Sequence, residues 1–148
     1  MTLDDEIRRE IFQLPDTPEI VDDWEFIVDK LSDDFQWIGS KIDWKNTINH
    51  KSLELHGDYS DWLATIKCFI NDDEINSEIS KSNDIFYIND SSLDFSVRLN
   101  NHQLYSFLSL AVKKIPQHHY FFERERKWCL VISSEGYVDF GFSPALKE

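Results

Sequence analysis

The spacing of apolar residues is helical over much of the N-terminal half of the chain. Near the N-terminus this period predicts a helix over residues 3–13 that ends before Pro15. Its apolar face consists of Leu3, Ile7, Ile11 and Leu14. Thr17 and Pro18 then predict the start of a second helix, as an N-cap residue followed by a first-turn proline. The apolar stripe of this second helix is Ile20, Trp24, Ile27, Val28 and Leu31.

Two further helices are predicted in the middle of the chain. Ser60 is the expected N-cap of the first, which ends at residues 71–74, and Ile75 with Ile79 adds one more turn. Asn100 or Asn101 is the expected N-cap of the second, which Pro116 ends. Their apolar faces are Trp62, Leu63, Ile66, Phe69 and Ile70 for the first, and Leu104, Phe107, Leu108, Ala111 and Ile115 for the second.

Beyond Ser82 the apolar period changes from helical to two. Residues 85–88 form a continuous apolar run, and residues 93–99 alternate strictly between apolar and polar, so two strands are predicted with turn residues 89–92 between them. FQWIG, from Phe35, predicts one short strand earlier in the chain. Residues 39–58 give only a weak signal.

The last third of the chain predicts two hairpins whose loop lengths follow from hydrophobic parity. A three-residue loop over 134–136, with Gly136 at positive φ, places the large apolar side chains of both flanking strands on one face. A two-residue loop would set these two rows on opposite faces. A four-residue loop over 124–127 aligns the preceding strand in the same way. The residues then sharing one face are His119, Phe121, Glu123, Trp128, Leu130, Ile132, Val138, Phe140 and Phe142.

These elements predict an α+β fold. We expect one domain over residues 1–148, with an antiparallel sheet that includes the C-terminal three-stranded meander and packs against the N-terminal and central helices. Apolar residues make up 41% of the chain, which is enough for a hydrophobic core despite the 29% of charged residues. No internal repeat, linker or low-complexity segment interrupts the sequence.

The charge of the chain limits its partners. Fifteen Lys and Arg against 28 Asp and Glu give a formal net charge of −13. Affinity for nucleic acid or anionic lipid comes largely from Lys and Arg, so we expect neither as a partner. A basic protein is the natural partner of such a field, although solubility alone also explains many of the acids.

The cysteines and the N-terminus predict a cytoplasmic protein. Cys68 and Cys129 show no metal-binding spacing and are expected to be reduced, buried thiols. MTLDDEIRRE lacks the apolar stretch of a signal peptide, and no run of about 18 apolar residues occurs.

The sequence contains no motif that is specific for an enzyme. The sharpest enzyme hypothesis is a metal site that uses His118 or His119 with His50, His56 or His102, but HExxH is missing and adjacent strand residues point to opposite faces. GxSxG and phosphate-binding glycine loops are also missing. We therefore predict no catalytic residues, no metal ligands and no cofactor.

Two acidic clusters are the candidate partner-binding residues. The first is an acidic stripe with one aromatic residue, namely Asp22, Glu25, Asp29, Asp33, Asp34 and Trp37. Like charges at helical spacing repel one another and cost stability. An acidic stripe that persists despite this cost would serve to bind a Lys- and Arg-rich partner. The second is Asp72, Asp73 and Glu74, which can alternatively serve as the acidic N-terminus of a helix.

The C-terminal segment HHYFFERERKWCLVISSEGYVDFGFS, together with the overall acidity, resembles immunity proteins of bacterial contact-dependent growth inhibition and related toxin systems. The resemblance implies a non-enzymatic protein that binds and neutralises a cognate toxin, with a basic nuclease as the expected type. It assigns no binding residue. Two alternatives remain open: a regulatory or adaptor subunit for another basic protein, and a small metal-dependent hydrolase.

Overall fold

A computed structural model describes residues 2–22, 25–26, 37–38, 41–42, 47–89, 95–115, 118–123 and 127–143. Within these ranges the helices are α1 (Leu3–Phe12), α2 (Tyr59–Ile70), α3 (Asp73–Ser80) and α4 (Leu104–Lys114). The strands are β1 (Glu19–Val21), β2 (Trp37–Ile38), β3 (Lys41–Ile42), β4 (Ile48–Glu54), β5 (Ile85–Asn89), β6 (Ser96–Leu99), β7 (His119–Glu123), β8 (Trp128–Ser133) and β9 (Tyr137–Phe142).

Seven of the strands form one antiparallel sheet in the order β1-β6-β5-β7-β8-β9-β4, and β2 pairs with β3 in a small separate ribbon. The predicted α+β class is confirmed. β7 lies in the middle of the large sheet, whereas β1 and β4 are its two edges. No helix in the described ranges is long and apolar enough to span a membrane.

The C-terminal meander has the predicted register. Ser133 pairs with Tyr137 across the loop 134–136, and Gly136 adopts a φ of +97° that an L side chain rarely takes. Glu123 pairs with Trp128, as the four-residue loop requires. Because loop length and side-chain parity agree in both hairpins, every second residue of β7, β8 and β9, from Phe121 to Phe142, reaches one common face.

That face carries the main core, which packs against α1, α2, α3 and α4. The helices contribute Ile7 and Ile11, Ile66 and Ile70, Ile75 and Ile79, and the apolar side of α4. The sheet contributes Tyr87, Phe121, Trp128, Leu130, Phe140 and their neighbours. The opposite face holds a smaller buried cluster of Ile88, Tyr120, Phe122, Cys129 and Val131. The strands in the middle of the sheet are therefore apolar on both faces.

The prediction that a helix starts at Thr17 and Pro18 is wrong, because its expected first turn is a strand. Residues Glu19–Val21 are extended and pair with Arg98, Val97 and Ser96 of β6. Thr17 does not cap a helix, because the residues after Pro18 are extended, and its Oγ1 donates instead to the carbonyl of Leu14 at 3.0 Å. Pairing with a sheet edge outweighs the helical period here. The later part of this predicted helix lies mostly outside the described residues.

The central helices occur where they were predicted, but their caps differ. Asp58, not Ser60, caps α2, and Asp61 completes a capping box. Ile75 and Ile79 belong to the separate helix α3. Before α4, the side chain of Asn100 accepts from the backbone N–H groups of His102 and Gln103, while the N-cap position itself is Gln103.

Candidate protein-interaction site

Strand β4 is an edge of the sheet, and no other described strand pairs with its outer side. It pairs with β9 on one side, with Lys51 opposite Phe140 and Leu53 opposite Val138. The N–H of Leu55 donates to the carbonyl of Gly136 at 2.7 Å. In an antiparallel pair, alternate residues direct both backbone groups to the same neighbour, so Lys51 and Leu53 also bond to β9. The backbone groups of Ser52 and Glu54 therefore point away from the sheet.

These outward groups have no partner within the described part of the chain. Neither Ser52 nor Glu54 makes a further backbone hydrogen bond there. Both residues are exposed, and so is Leu53 between them, at 42% of its surface. A solvated strand edge of this kind is a template for another strand.

The second predicted acidic cluster lies beside this edge. Asp72 and Glu74 both approach the Lys51 ammonium, at 3.2 and 4.0 Å. Glu74 also accepts a hydrogen bond of 3.4 Å from the Asn49 amide. The fold thus brings Asp72 and Glu74 against Lys51 of β4, with Asp73 between them on α3. We call Asp72, Asp73 and Glu74, together with Ser52 and Glu54 of the strand, the β4 edge site.

Within this site, Asp72 has a structural role. It caps α3, and its carboxylate accepts from the N–H groups of Glu74 and Ile75. The Ile75 hydrogen bond, followed by the one from Lys51, lowers the pKa of Asp72 below its ordinary value. The reading of this cluster as an acidic helix N-terminus therefore holds, with Asp72 as the N-cap and Asp73 and Glu74 in the first turn of α3. Asp73 and Glu74 are exposed and keep their charges at the surface.

The first predicted cluster is only partly described. Asp22 is exposed and follows β1 instead of lying on a helix, and Glu25 is exposed and helical. The Asp22 carboxylate accepts from the Arg8 guanidinium at 2.7 Å. Asp29, Asp33 and Asp34 lie outside the described residues. Trp37 lies in β2, and only its backbone is described.

Helix α1 adds acids to the first cluster that sequence reasoning did not select. Asp4, Asp5 and Glu6 form its first turn, where they favour the helix dipole. Arg8 bonds to Asp4 at 2.8 Å as well as to Asp22, and both bonds raise the pKa of the guanidinium. Arg8 also lies 4.4 Å from the centre of the Phe95 ring. Part of the negative charge here is neutralised by an internal partner.

The two clusters lie at opposite edges of the sheet. Asp22 directly follows β1, whereas Asp72 contacts β4 through Lys51. Six strand spacings separate these edges, or roughly 29 Å. A standard interface of about 800 Å² per partner is roughly 30 Å across, so one centred on either edge does not reach the other.

The adjacent histidines do not form a common site. His119 faces the main core, where its Nδ1 lies 2.7 Å from the Tyr87 hydroxyl. His118 faces the other side, beside Tyr120, and its Nδ1 accepts from the Ser134 N–H at 3.0 Å. Burial, together with the neighbouring His118, lowers the pKa of His119 to about 4. Both rings are part of the buried hydrogen-bond network of the sheet.

No group of three or more His, Cys, Asp or Glu side chains within the described ranges is placed to hold a metal ion. The nearest arrangement to a catalytic pair is His50 Nε2 with Asp139 Oδ1 at 2.8 Å. Cys129 is fully buried, and burial with the nearby Asp139 raises its thiol pKa well above the ordinary value, so it is an inert thiol. Cys68 is exposed, and the prediction that it is buried is wrong.

A shallow polar cleft of about 240 Å³ lies near the β1 edge of the sheet. Its wall includes Arg98, which bonds to Asp84 at 2.6 Å, and Gln103, whose amide nitrogen bonds to Asp16 and Thr17. The Arg98 and Gln103 side chains are thus engaged by neighbouring residues of the chain.

The sequence around β4 contains a weak strand pattern. In KSLEL, Leu53 and Leu55 alternate with Ser52 and Glu54, and Gly57 follows at a φ of +85° as a turn residue. The alternation covers too few residues to identify a strand by itself. In comparisons with known proteins, no family model matches this chain and no curated protein is significantly similar to it.

Proposed function

We propose that this protein is a non-enzymatic immunity protein that binds a basic toxin domain, with a nuclease as the expected type, through an acidic surface. The observation that carries the proposal is the β4 edge site. It places exposed acids beside open backbone groups on a chain with a net charge of −13.

The electrostatic reasoning is independent of sequence similarity. A nuclease needs a basic face to hold the phosphates of its substrate. An acidic inhibitor is steered to that face, and once bound it excludes the substrate. The same charge repels nucleic acid from the inhibitor, so the two proteins do not compete for one ligand.

The β4 edge site is the better candidate of the two acidic surfaces. Near β1, Asp4 and Asp22 share the guanidinium of Arg8, so part of their charge serves the fold. At β4, Lys51 contacts Asp72 and Glu74 in the same way and His56 Nε2 lies 3.8 Å from Glu54, but Asp73 is exposed and the strand adds open backbone groups. Charge that is not used within the fold is available to a partner.

The test begins with the tagged protein in native lysate, washed at low and high salt, and with identification of what remains bound. We expect one stoichiometric basic protein whose binding weakens as salt rises. The purified protein should inhibit the enzymatic activity of that partner at a one-to-one ratio. Absence of a basic partner at either salt, or a partner whose activity is unaffected, contradicts immunity.

Two matched charge reversals then locate the interface. Glu54→Lys with Asp73→Lys alters the β4 edge site and keeps the helix cap at Asp72. Asp22→Lys with Glu25→Lys alters the opposite edge by the same number of charges. We expect the first pair to lower affinity at least tenfold and to reduce its salt dependence, and the second pair to have a much smaller effect. The reverse result assigns the interface to the β1 side.

A further inference from the structure

We propose that β4 binds an extended, lysine- or arginine-containing segment of the partner as an eighth strand of the sheet. This inference depends on the proposed function for the charge of the partner. It adds the mode of recognition, in which main-chain hydrogen bonds provide affinity and alternate side chains provide selectivity.

The backbone of β4 supplies the hydrogen-bonding groups. Ser52 and Glu54 each direct one N–H and one C=O away from β9, as the Leu55 to Gly136 hydrogen bond establishes. An added strand can therefore form up to four hydrogen bonds with these two residues without disturbing the existing ladder.

The side chains at this edge define the composition of the segment. The Glu54 side chain is 58% exposed and lies on the same face as its cross-strand partner Tyr137, which favours a Lys or Arg opposite it. Leu53 points to the other face and is exposed enough to contact an apolar side chain. Lys51 lies on the same face as Leu53, and its ammonium contacts the acids of α3. These acids therefore favour further basic residues on that face.

The start of β4 limits the length of the segment. The register between β4 and β9 shifts between Ile48 and Lys51, and Asn49 has a φ of +54°. Such a bulge interrupts strand pairing and protects an edge from uncontrolled association. The regular part of the edge runs from Lys51 to Glu54. The opposite edge, β1, has only three residues and is a poorer template.

Three synthetic octapeptides test the proposal against the full-length protein. The first alternates Lys and Val, the second alternates Lys and Pro at the same charge, and the third alternates Glu and Val. Proline removes backbone donors and disfavours a strand. Binding is measured by NMR titration, together with amide hydrogen exchange of the protein.

We expect the Lys-Val peptide to bind and to slow the exchange of the Ser52 and Glu54 amides, which are exposed before binding. The Lys-Pro and Glu-Val peptides should bind much more weakly. Ser52→Pro should weaken Lys-Val binding by roughly three- to tenfold, the effect of about one hydrogen bond, and Glu54→Pro should weaken it further because it also removes the carboxylate. The matched variant Ser52→Ala keeps the N–H and should bind as the natural protein does.

The outcomes separate this inference from the proposed function. If the Lys-Pro peptide binds as tightly as the Lys-Val peptide, or if protection appears elsewhere, strand addition is wrong while capture of a basic partner stands. No binding of the Lys-Val peptide at millimolar concentration also overturns strand addition. A failed search for a basic partner in lysate contradicts the function itself.

Discussion

The middle of the sheet and its β4 edge use their polar groups in opposite ways. In the middle, Tyr87 bonds to His119, and Asn89 bonds to the carbonyl of His118, so polar groups are buried and paired within the chain. At the β4 edge, the backbone groups of Ser52 and Glu54 are solvated. Buried polar groups must be satisfied internally, whereas solvated ones can be exchanged for a partner at small cost. The middle therefore determines stability, and the edge is suited to binding.

The largest expected effect comes from acid and acts on His119 in the middle of the sheet. Its pKa is about 4 in the folded protein, below the ordinary 6.5, so the unfolded chain binds more protons between these values. The contribution of neutral His119 to the free energy of unfolding is nearly fully present above pH 6.5 and is lost as the pH drops towards 4. The loss from this group is about 2 kcal/mol at pH 5 and about 3 kcal/mol in full.

Urea unfolding of the natural protein and of His119→Gln at pH 7, 6 and 5 measures this effect. Glutamine can accept a hydrogen bond from the Tyr87 hydroxyl but does not titrate. The titration of the carboxylates contributes equally to the pH dependence of both proteins. The stability of His119→Gln should fall less steeply between pH 6.5 and 5. Parallel curves for the two proteins contradict a buried, neutral His119.

Leu53→Pro is expected to have the second largest effect, because it breaks the ladder at the inner side of β4. The substitution removes an N–H that bonds to β9 and leaves the Val138 carbonyl without its donor. We expect a loss of about 2–3 kcal/mol in the free energy of unfolding. Denaturant unfolding at pH 7 measures it, and a loss below about 1 kcal/mol would show that the inward and outward residues have been exchanged.

Trp128→Phe tests a second buried polar contact in the core. The indole Nε1 donates to the Ser82 hydroxyl at 2.9 Å, and that hydroxyl donates to the carbonyl of Glu78. Loss of this hydrogen bond and of part of the ring should cost about 1–3 kcal/mol. Ser82→Ala leaves the indole N–H unmet, and the double variant should lose less than the sum of the two. Additive losses contradict a direct bond.

The hairpins of the meander were predictable to the residue because two constraints agreed. The three-residue loop with Gly136 and the large side chains of Trp128 and Phe140 both required one register. The first residues after Pro18 offered no such agreement, since a helical stripe and a three-residue strand are both compatible with Ile20. Pairing with β6 decides between them, and no local pattern encodes that partner.

The candidate site shows the same limit. Asp72, Asp73 and Glu74 could be selected from the sequence because they are adjacent acids. Their contact with Lys51 of β4 could not be predicted, because it depends on the packing of α3 against an edge strand about 20 residues away in the chain. Sequence reasoning thus identified the charge of the site but missed its open backbone.

The smallest expected effect on stability is that of Ser52→Pro, which compares an outward N–H of β4 with the inward N–H of its neighbour Leu53. Ser52 and Leu53 are neighbours on one strand, yet the N–H of Ser52 points to solvent and that of Leu53 points to β9. Proline is tolerated on an edge strand where the missing N–H faces water, so the free energy of unfolding should change by less than about 1 kcal/mol. The same substitution should weaken binding of a basic strand. Measured together by urea unfolding and peptide titration, Ser52→Pro should lose binding with little loss of stability, whereas Leu53→Pro should lose stability first. If both prolines destabilise equally, β4 is an ordinary structural strand and its outer side is not open to a partner.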